Sequence, residues 1–183
     1  SGKEESFQII RSEIGVYSLL ASSFLLLAAF CYLYPKFYPM LQPATLNFLK
    51  ALKKNNNKEW FDKNRKTYEA AKADYAGFVQ KVINEFGKKN PAYSSLLAKN
   101  CLFRINRDVR FSKDKSPYKT NMGAYFNPGG KKATTAGFYF HCEPGQAFIG
   151  GGLWMAMPPQ LSKIRQEIDY NFTDFKKILS NKK

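Results

Sequence analysis

From residue 40 onward the hydrophobic positions change period twice. Leu46, Phe48, Leu49 and Leu52 recur at helical spacing, and Pro43 sits just ahead of them as a start signal, so Thr45 to Lys54 is predicted as a helix. Asn55-Asn56-Asn57 interrupts it. Asn56 with Glu59 reads as a capping pair that opens a long second helix. Along that helix Phe61, Tyr68, Ala71, Tyr75, Phe78, Val82 and Phe86 form one apolar stripe for the core, and Gly87 and Pro91 mark its end. The period then falls to two. Cys101 to Ile105, Gly123 to Asn127 and Gly137 to Cys142 read as strands, and in the last of these Phe138, Phe140 and Cys142 share one face while Tyr139 and His141 share the other. Pro128 to Lys132 reads as an exposed loop between the two later strands. Pro144-Gly145 suits a type II turn, which returns the chain as a strand within Ala147 to Trp154. Pro158-Pro159 opens another helix with Leu161, Ile164 and Ile168 spaced for burial, and Asn171 with Asp174 restarts a last one carrying Phe172, Phe175, Ile178 and Leu179. Helices, strands, helices is an α+β order: N-terminal helices, a central and mostly antiparallel sheet, C-terminal helices.

Upstream the pattern is different. Ile14 to Tyr34 is a run of 21 residues without a charge, about the ~20 needed for a helix to cross a bilayer. The chain is therefore divided into a hydrophobic extension, 1–39, and a domain, 40–183. The extension is either a membrane anchor or a segment the domain does not need, since Met40 resembles a protein start. The domain itself is expected in the cytoplasm, tethered to a membrane if Ile14 to Tyr34 spans one.

Charge sharpens this division. The formal net charge is +15. Lys3, Arg11 and Lys36 balance Glu4, Glu5 and Glu13, so the whole excess belongs to the domain. Such a balance favours anionic partners, phosphate-bearing ligands or nucleic acid among them. Cys31, Cys101 and Cys142 are too few and too scattered for a disulfide framework, and with one histidine they make no usual zinc set, so no metal or cofactor is expected. Cys142 and His141 are strand neighbours that point to opposite faces and do not form a dyad.

The densest charge lies in Arg104 to Lys119, with six cationic side chains and two aspartates. If the strand ran on from Phe103, then Phe103, Ile105, Val109 and Phe111 would share the core face with Arg107 among them. A buried guanidinium needs a partner. Either the chain breaks near Asn106 or Arg107 is paired, with Glu69 or Asp74 as candidates, while Arg107 and Asp108 form the structural pair of the loop. Arg104, Arg107, Arg110, Lys113, Tyr118, Lys119 and Tyr139 are the candidate ligand contacts, the arginines offering planar forks for phosphate or carboxylate oxygens. His141 and Asp108 are the candidate general bases. Gly150-Gly151-Gly152 lacks a following helix and so is not a phosphate loop, and it reads as a bulge or a close backbone approach. Trp60 and Trp154 are expected in the core.

Three motifs together resemble a known family: Trp60-Phe61-x-x-Asn64-Arg65-x-x-Tyr68; Arg104-x-Asn106-Arg107-Asp108-x-Arg110-Phe111-Ser112-x-Asp114-Lys115-x-Pro117-Tyr118-Lys119-Thr120; and Gly151-Gly152-Leu153-Trp154 with Leu161-x-x-Ile164-Arg165. The set resembles the DUF2461 family, also called TIGR02453, from about Met40 onward. The resemblance implies no activity. It implies a proline soon after Trp154, where this chain has Ala156, and some further residues after Lys183. Three functions follow as expectations: binding of a phosphate-bearing ligand or nucleic acid through Arg104 to Lys119; an enzyme on a phosphate- or carboxylate-bearing substrate using His141 or Asp108; or a scaffold whose charge only keeps it soluble.

Overall fold

A computed structural model of the chain describes residues 41–180. The 14–34 run, with the anchor reading that rests on it, lies outside the described residues. Among those described, no helix is long and apolar enough to cross a membrane.

Helix α1 (Pro43–Lys54) begins on a proline, as its sequence requires, and buries Phe48, Leu49 and Leu52. Its first turn is tied down by Asp74, whose Oδ2 accepts from the Gln42 amide at 2.9 Å and from the Thr45 hydroxyl at 2.5 Å. The predicted long second helix is two helices, α2 (Lys58–Lys63) and α3 (Arg65–Lys89), divided at Asn64. The N-cap is Asn57, which accepts from the Trp60 amide at 2.9 Å, and not Asn56. Asn56 is withdrawn from capping because both ends of its amide bind the backbone of Tyr118. Gly87 does not stop α3. It sits where a Cβ would come 3.1 Å from Ser94 Oγ, and the helix runs on until Pro91 opens a single 3-10 turn, Pro91–Tyr93.

The sheet has three antiparallel strands in the order β1 (Met122–Phe126), β2 (Gly137–Cys142), β3 (Phe148–Gly152). The turn between β2 and β3 forms at Pro144-Gly145, where Gly145 has φ 83° and the Gln146 amide donates to the Glu143 carbonyl at 3.1 Å. The alternation in β2 holds as read. Phe138 and Cys142 are buried on the inner face with Met122, Ala124 and Phe126 from β1. Helix α3 covers this face, with Phe86 packed 5.8 Å from both Phe126 and Phe138 and Tyr75 and Phe78 against Phe140. The triple glycine makes no bulge. Its register with β2 is unbroken, and Gly151 passes close to the Phe138 ring, where a Cβ would come within 3.3 Å.

The predicted strand at Cys101 to Ile105 is not formed. Ala98–Cys101 is a short helix, α4, and the next residues make only a bridge from Leu102 to Ala124 and one from Asn106 to Tyr118. The break answers the problem posed by Arg107. A continuous strand would have driven that guanidinium to the core side, whereas the bend leaves only Ile105 buried and Phe111 96% exposed.

Compactness divides the described chain after Gly152. The second unit contains α5 (Pro158–Tyr170) and α6 (Phe172–Ser180). Leu161, Ile164 and Ile168 are half-buried, and the buried residue of α5 is Glu167, whose carboxylate accepts from Asn171 at 2.9 Å. Trp154 is 82% exposed and not a core residue, while Trp60 is half-buried against Phe48 at 6.0 Å.

Candidate functional site

The motif from Arg104 to Lys119 is an irregular hairpin lying beside β1. Its base is closed by the Arg107 amide on the Pro117 carbonyl at 2.9 Å and the Lys119 amide on the Ile105 carbonyl at 2.8 Å. Asn56 clamps it to the helices. The Asn56 amide nitrogen donates to the Tyr118 carbonyl at 2.8 Å, and its oxygen accepts from the Tyr118 amide at 3.1 Å. The Tyr118 ring is buried and stacks on Phe61 with centroids 3.9 Å apart. Burial and stacking give the Tyr118 ring a structural part in the hairpin.

Within the hairpin the charges pair, in a pattern the sequence reading did not have. Arg107 pairs with Asp114 and also reaches Ser112 Oγ at 3.3 Å, so its partner is neither Asp108 nor a helix carboxylate. Asp74 is occupied at α1. Asp108 instead takes Arg110 in a two-pronged contact, 2.9 Å to Nε and 2.6 Å to Nη2. Those hydrogen bonds hold the Asp108 carboxyl below its ordinary value. Asp114 is likewise held low, by Ser116 first and by Arg107. The Lys115 ammonium donates to the Val109 carbonyl at 3.0 Å, and Lys113 is exposed in the loop. Ion pairs seven and two residues apart reflect a loop that curls on itself, a geometry that strand alternation does not encode.

At the base of the hairpin stand Arg104, whose charge also acts on the Asp108 carboxylate, and Lys119. Neither forms an ion pair with a described residue. Lys119 is half-buried, and its pKa is lowered by that burial and by the nearby Arg104 guanidinium. Lys119 lies over the Phe103 ring at 5.6 Å, and Lys131 at 5.9 Å, the latter also donating to the Leu102 carbonyl at 2.5 Å. The two lysines thus flank one exposed phenylalanine at the β1 edge, with Arg104 next to it in sequence.

From Lys119 the chain runs straight into a polar network on the outer face of the sheet. Thr120 donates to Glu143 Oε1 at 2.9 Å, and Asn121 Nδ2 lies 3.3 Å from His141 Nδ1. The same Nδ1 is 3.0 Å from the Tyr139 hydroxyl, while His141 Nε2 faces Glu143 Oε2 at 3.3 Å. One tautomer satisfies every contact: Nε2–H donates to the carboxylate, and Nδ1 accepts from the tyrosine and the asparagine. Lys53, at the end of α1, completes the set by binding Glu143 Oε1 at 3.3 Å. Partial burial pushes the Glu143 carboxyl up, but the bonds from His141, Thr120 and Lys53 outweigh it and hold the group below its ordinary value. Tyr139 is raised by burial. Its hydroxyl sits over Gly123, where a Cβ would approach it to 2.8 Å, so glycine at that position makes the room.

Residues 44–183 match the model of the family described as "Conserved hypothetical protein (DUF2461)". The chain belongs to the DUF2461 family. No curated protein and no solved structure matches it. The DUF2461 match takes in the hairpin, the sheet and the network together.

Of the sequence-derived candidates, Arg104, Lys119, Tyr139 and His141 are brought together at one place, through Phe103 and Asn121. Arg107, Arg110 and Asp108 are consumed by local pairs. Three participants had no signal in the reading of the sequence. Phe103 was assigned to the core, and Glu143 was read only as a turn residue. Asn121 lay between a motif and a strand. Cys101 and Cys142 are buried, and burial pushes both thiols up to about 11, so they stay protonated and unreactive at neutral pH.

Proposed function

We propose that this domain binds a phosphate-bearing ligand at the β1 edge, gripped by Arg104 and Lys119 next to the Tyr139 hydroxyl. The observation that carries the reading is the pair itself. A half-buried ammonium beside a guanidinium, with only the more distant Asp108 carboxylate acting on the guanidinium among the described residues, is an unfavourable arrangement that a bound anion would relieve. Arg104 supplies a planar fork and Lys119 a point charge, the two complementary ways of holding phosphate oxygens. Calorimetric titration with pyrophosphate tests it. The double substitution Arg104→Ala, Lys119→Ala is expected to weaken binding by about 100- to 10,000-fold, two charge-assisted contacts at ~1.5–3 kcal/mol each. Arg110→Ala is expected to change it less than about twofold, because that fork is already filled by Asp108. Equal losses from the two variants would defeat the assignment.

A second reading rests on the chain Tyr139–His141–Glu143. Both ring nitrogens of His141 are engaged by the protein, so any proton it exchanges with a ligand passes through the Tyr139 hydroxyl. A water beside the phosphoryl group would give its proton to Tyr139 Oη as Tyr139 gives its own to His141 Nδ1, the hydroxide attacking phosphorus while the P–O bond to the leaving alcohol breaks and the alkoxide departs, with Glu143 facing the resulting imidazolium. Asp108 is the poorer base, since Arg110 stabilises its charged form. On this reading the chain turns over a phosphate monoester such as p-nitrophenyl phosphate, and Tyr139→Phe abolishes turnover while pyrophosphate still binds. Undiminished turnover in Tyr139→Phe would remove the relay.

A further inference from the structure

Beside the two cations the outer face of the sheet carries a row of rings that the phosphate contacts do not use. Antiparallel register puts Tyr139, His141 and Phe148 on this face, since His141 pairs with Phe148 across β2 and β3. Phe103 joins them at the β1 edge, where its amide donates to the Gly123 carbonyl at 3.0 Å. The rings run without a gap. Phe103 meets Tyr139 edge-on at 6.0 Å, Tyr139 lies 5.9 Å from Phe148, and Phe148 stacks on His141 at 4.8 Å with planes 14° apart. The two ends are open, Phe103 at 43% and Phe148 at 53% exposure. Opposite Tyr139, position 150 is glycine, and nothing lies within 4 Å of where its Cβ would stand.

We propose that the ligand is single-stranded nucleic acid, its phosphates held by Arg104, Lys119 and Lys131 and its bases stacked on Phe103 and Phe148. This rests on the phosphate reading and narrows it to a class. Exposed aromatic rings on a β-sheet beside a cationic edge are the physical requirements for that ligand, because every base has a face to stack and every nucleotide a phosphate to neutralise. The charge is complementary: Glu143, the carboxylate of the network on this face, is spent on Lys53, Thr120 and His141. A duplex fits poorly, because its bases are stacked inward on one another and offer no faces to a flat row of rings.

The test uses the full chain and fluorescence anisotropy with a labelled 12-residue oligodeoxythymidylate, alongside inorganic polyphosphate and anionic phosphatidylserine vesicles. The oligonucleotide is expected to bind with affinity falling steeply as salt rises. Phe148→Leu and Phe103→Leu, which keep apolar bulk but remove the ring, are each expected to weaken it about tenfold or more while leaving polyphosphate affinity unchanged. Phe148→Leu lies on an exposed edge and spares the core, so it stands as the decisive variant if Phe103→Leu unfolds. Oligonucleotide affinity indifferent to both variants, or no tighter than that of polyphosphate, would overturn the single-strand proposal and leave the phosphate site standing. Binding to the vesicles without binding to the oligonucleotide would overturn it in favour of a membrane surface. No binding to oligonucleotide, polyphosphate or vesicles would remove both proposals.

Discussion

Replacing Tyr118 with alanine should destabilise the domain by about 3–5 kcal/mol, the range for deleting a large buried ring, and should weaken anion binding together with it. The ring is buried and stacked on Phe61 at 3.9 Å, so its loss leaves a cavity between α2 and the hairpin. The Asn56 clamp on the same residue's backbone then has to hold the hairpin without the packing that positions it. Lys119 is the next residue along, which is why the functional effect travels with the structural one. Tyr118→Phe separates the two roles. No described residue hydrogen-bonds the Tyr118 hydroxyl, so the phenylalanine variant should match the parent in both urea denaturation and pyrophosphate affinity. A loss of affinity in Tyr118→Phe without loss of stability would return Tyr118 to the ligand-contact list where sequence reasoning placed it.

Asn127→Ala is the second large effect, expected at about 2–4 kcal/mol because one fully buried side chain loses four hydrogen bonds at once. Asn127 is fully buried immediately after β1. Its Nδ2 donates to the Ala136 carbonyl at 2.8 Å, to Thr135 Oγ1 at 2.9 Å and to the Thr135 carbonyl at 3.2 Å, while its Oδ1 accepts from the Gly129 amide at 2.8 Å. One side chain thus does for the β1–β2 loop what a turn of hydrogen-bonded backbone would otherwise do. Alanine removes all four bonds and the turn they impose on the loop. Unfolding in urea should show a lower midpoint with an unchanged slope. A midpoint within experimental scatter of the parent would mean that the loop finds other partners.

These two residues illustrate what a single chain of letters does and does not disclose. Periodicity identified α1, α5, α6 and the run that forms α2 and α3, together with β1 and β2, because burial on one face is a local, repeating constraint and Phe138, Phe140 and Cys142 obey it. It failed at Cys101 to Ile105, where the apolar run was genuine but the arginine that followed forced a bend. Charge pairing was the least legible feature. Glu69, Asp74 and Asp108 are the partners that sequence offers Arg107, and the choice of Asp114 depends on loop curvature that no spacing rule supplies. The hydrogen bonds around His141 were not legible, since Glu143 comes to His141 only once β2 ends in its turn.

The clamp of Asn56 on Tyr118 also says something about the order in which the molecule assembles. The meander pairs each strand with its neighbour in sequence, and the hairpin's ion pairs close over a handful of residues, so both can form early at little loop-closure cost. The contacts that seat them on α1 and α2 span 62 residues at Asn56–Tyr118 and 90 at Lys53–Glu143. Those are the expensive closures, and they end at the hairpin base and the Glu143 network. That region is therefore expected to be the last to acquire its native geometry as the chain folds.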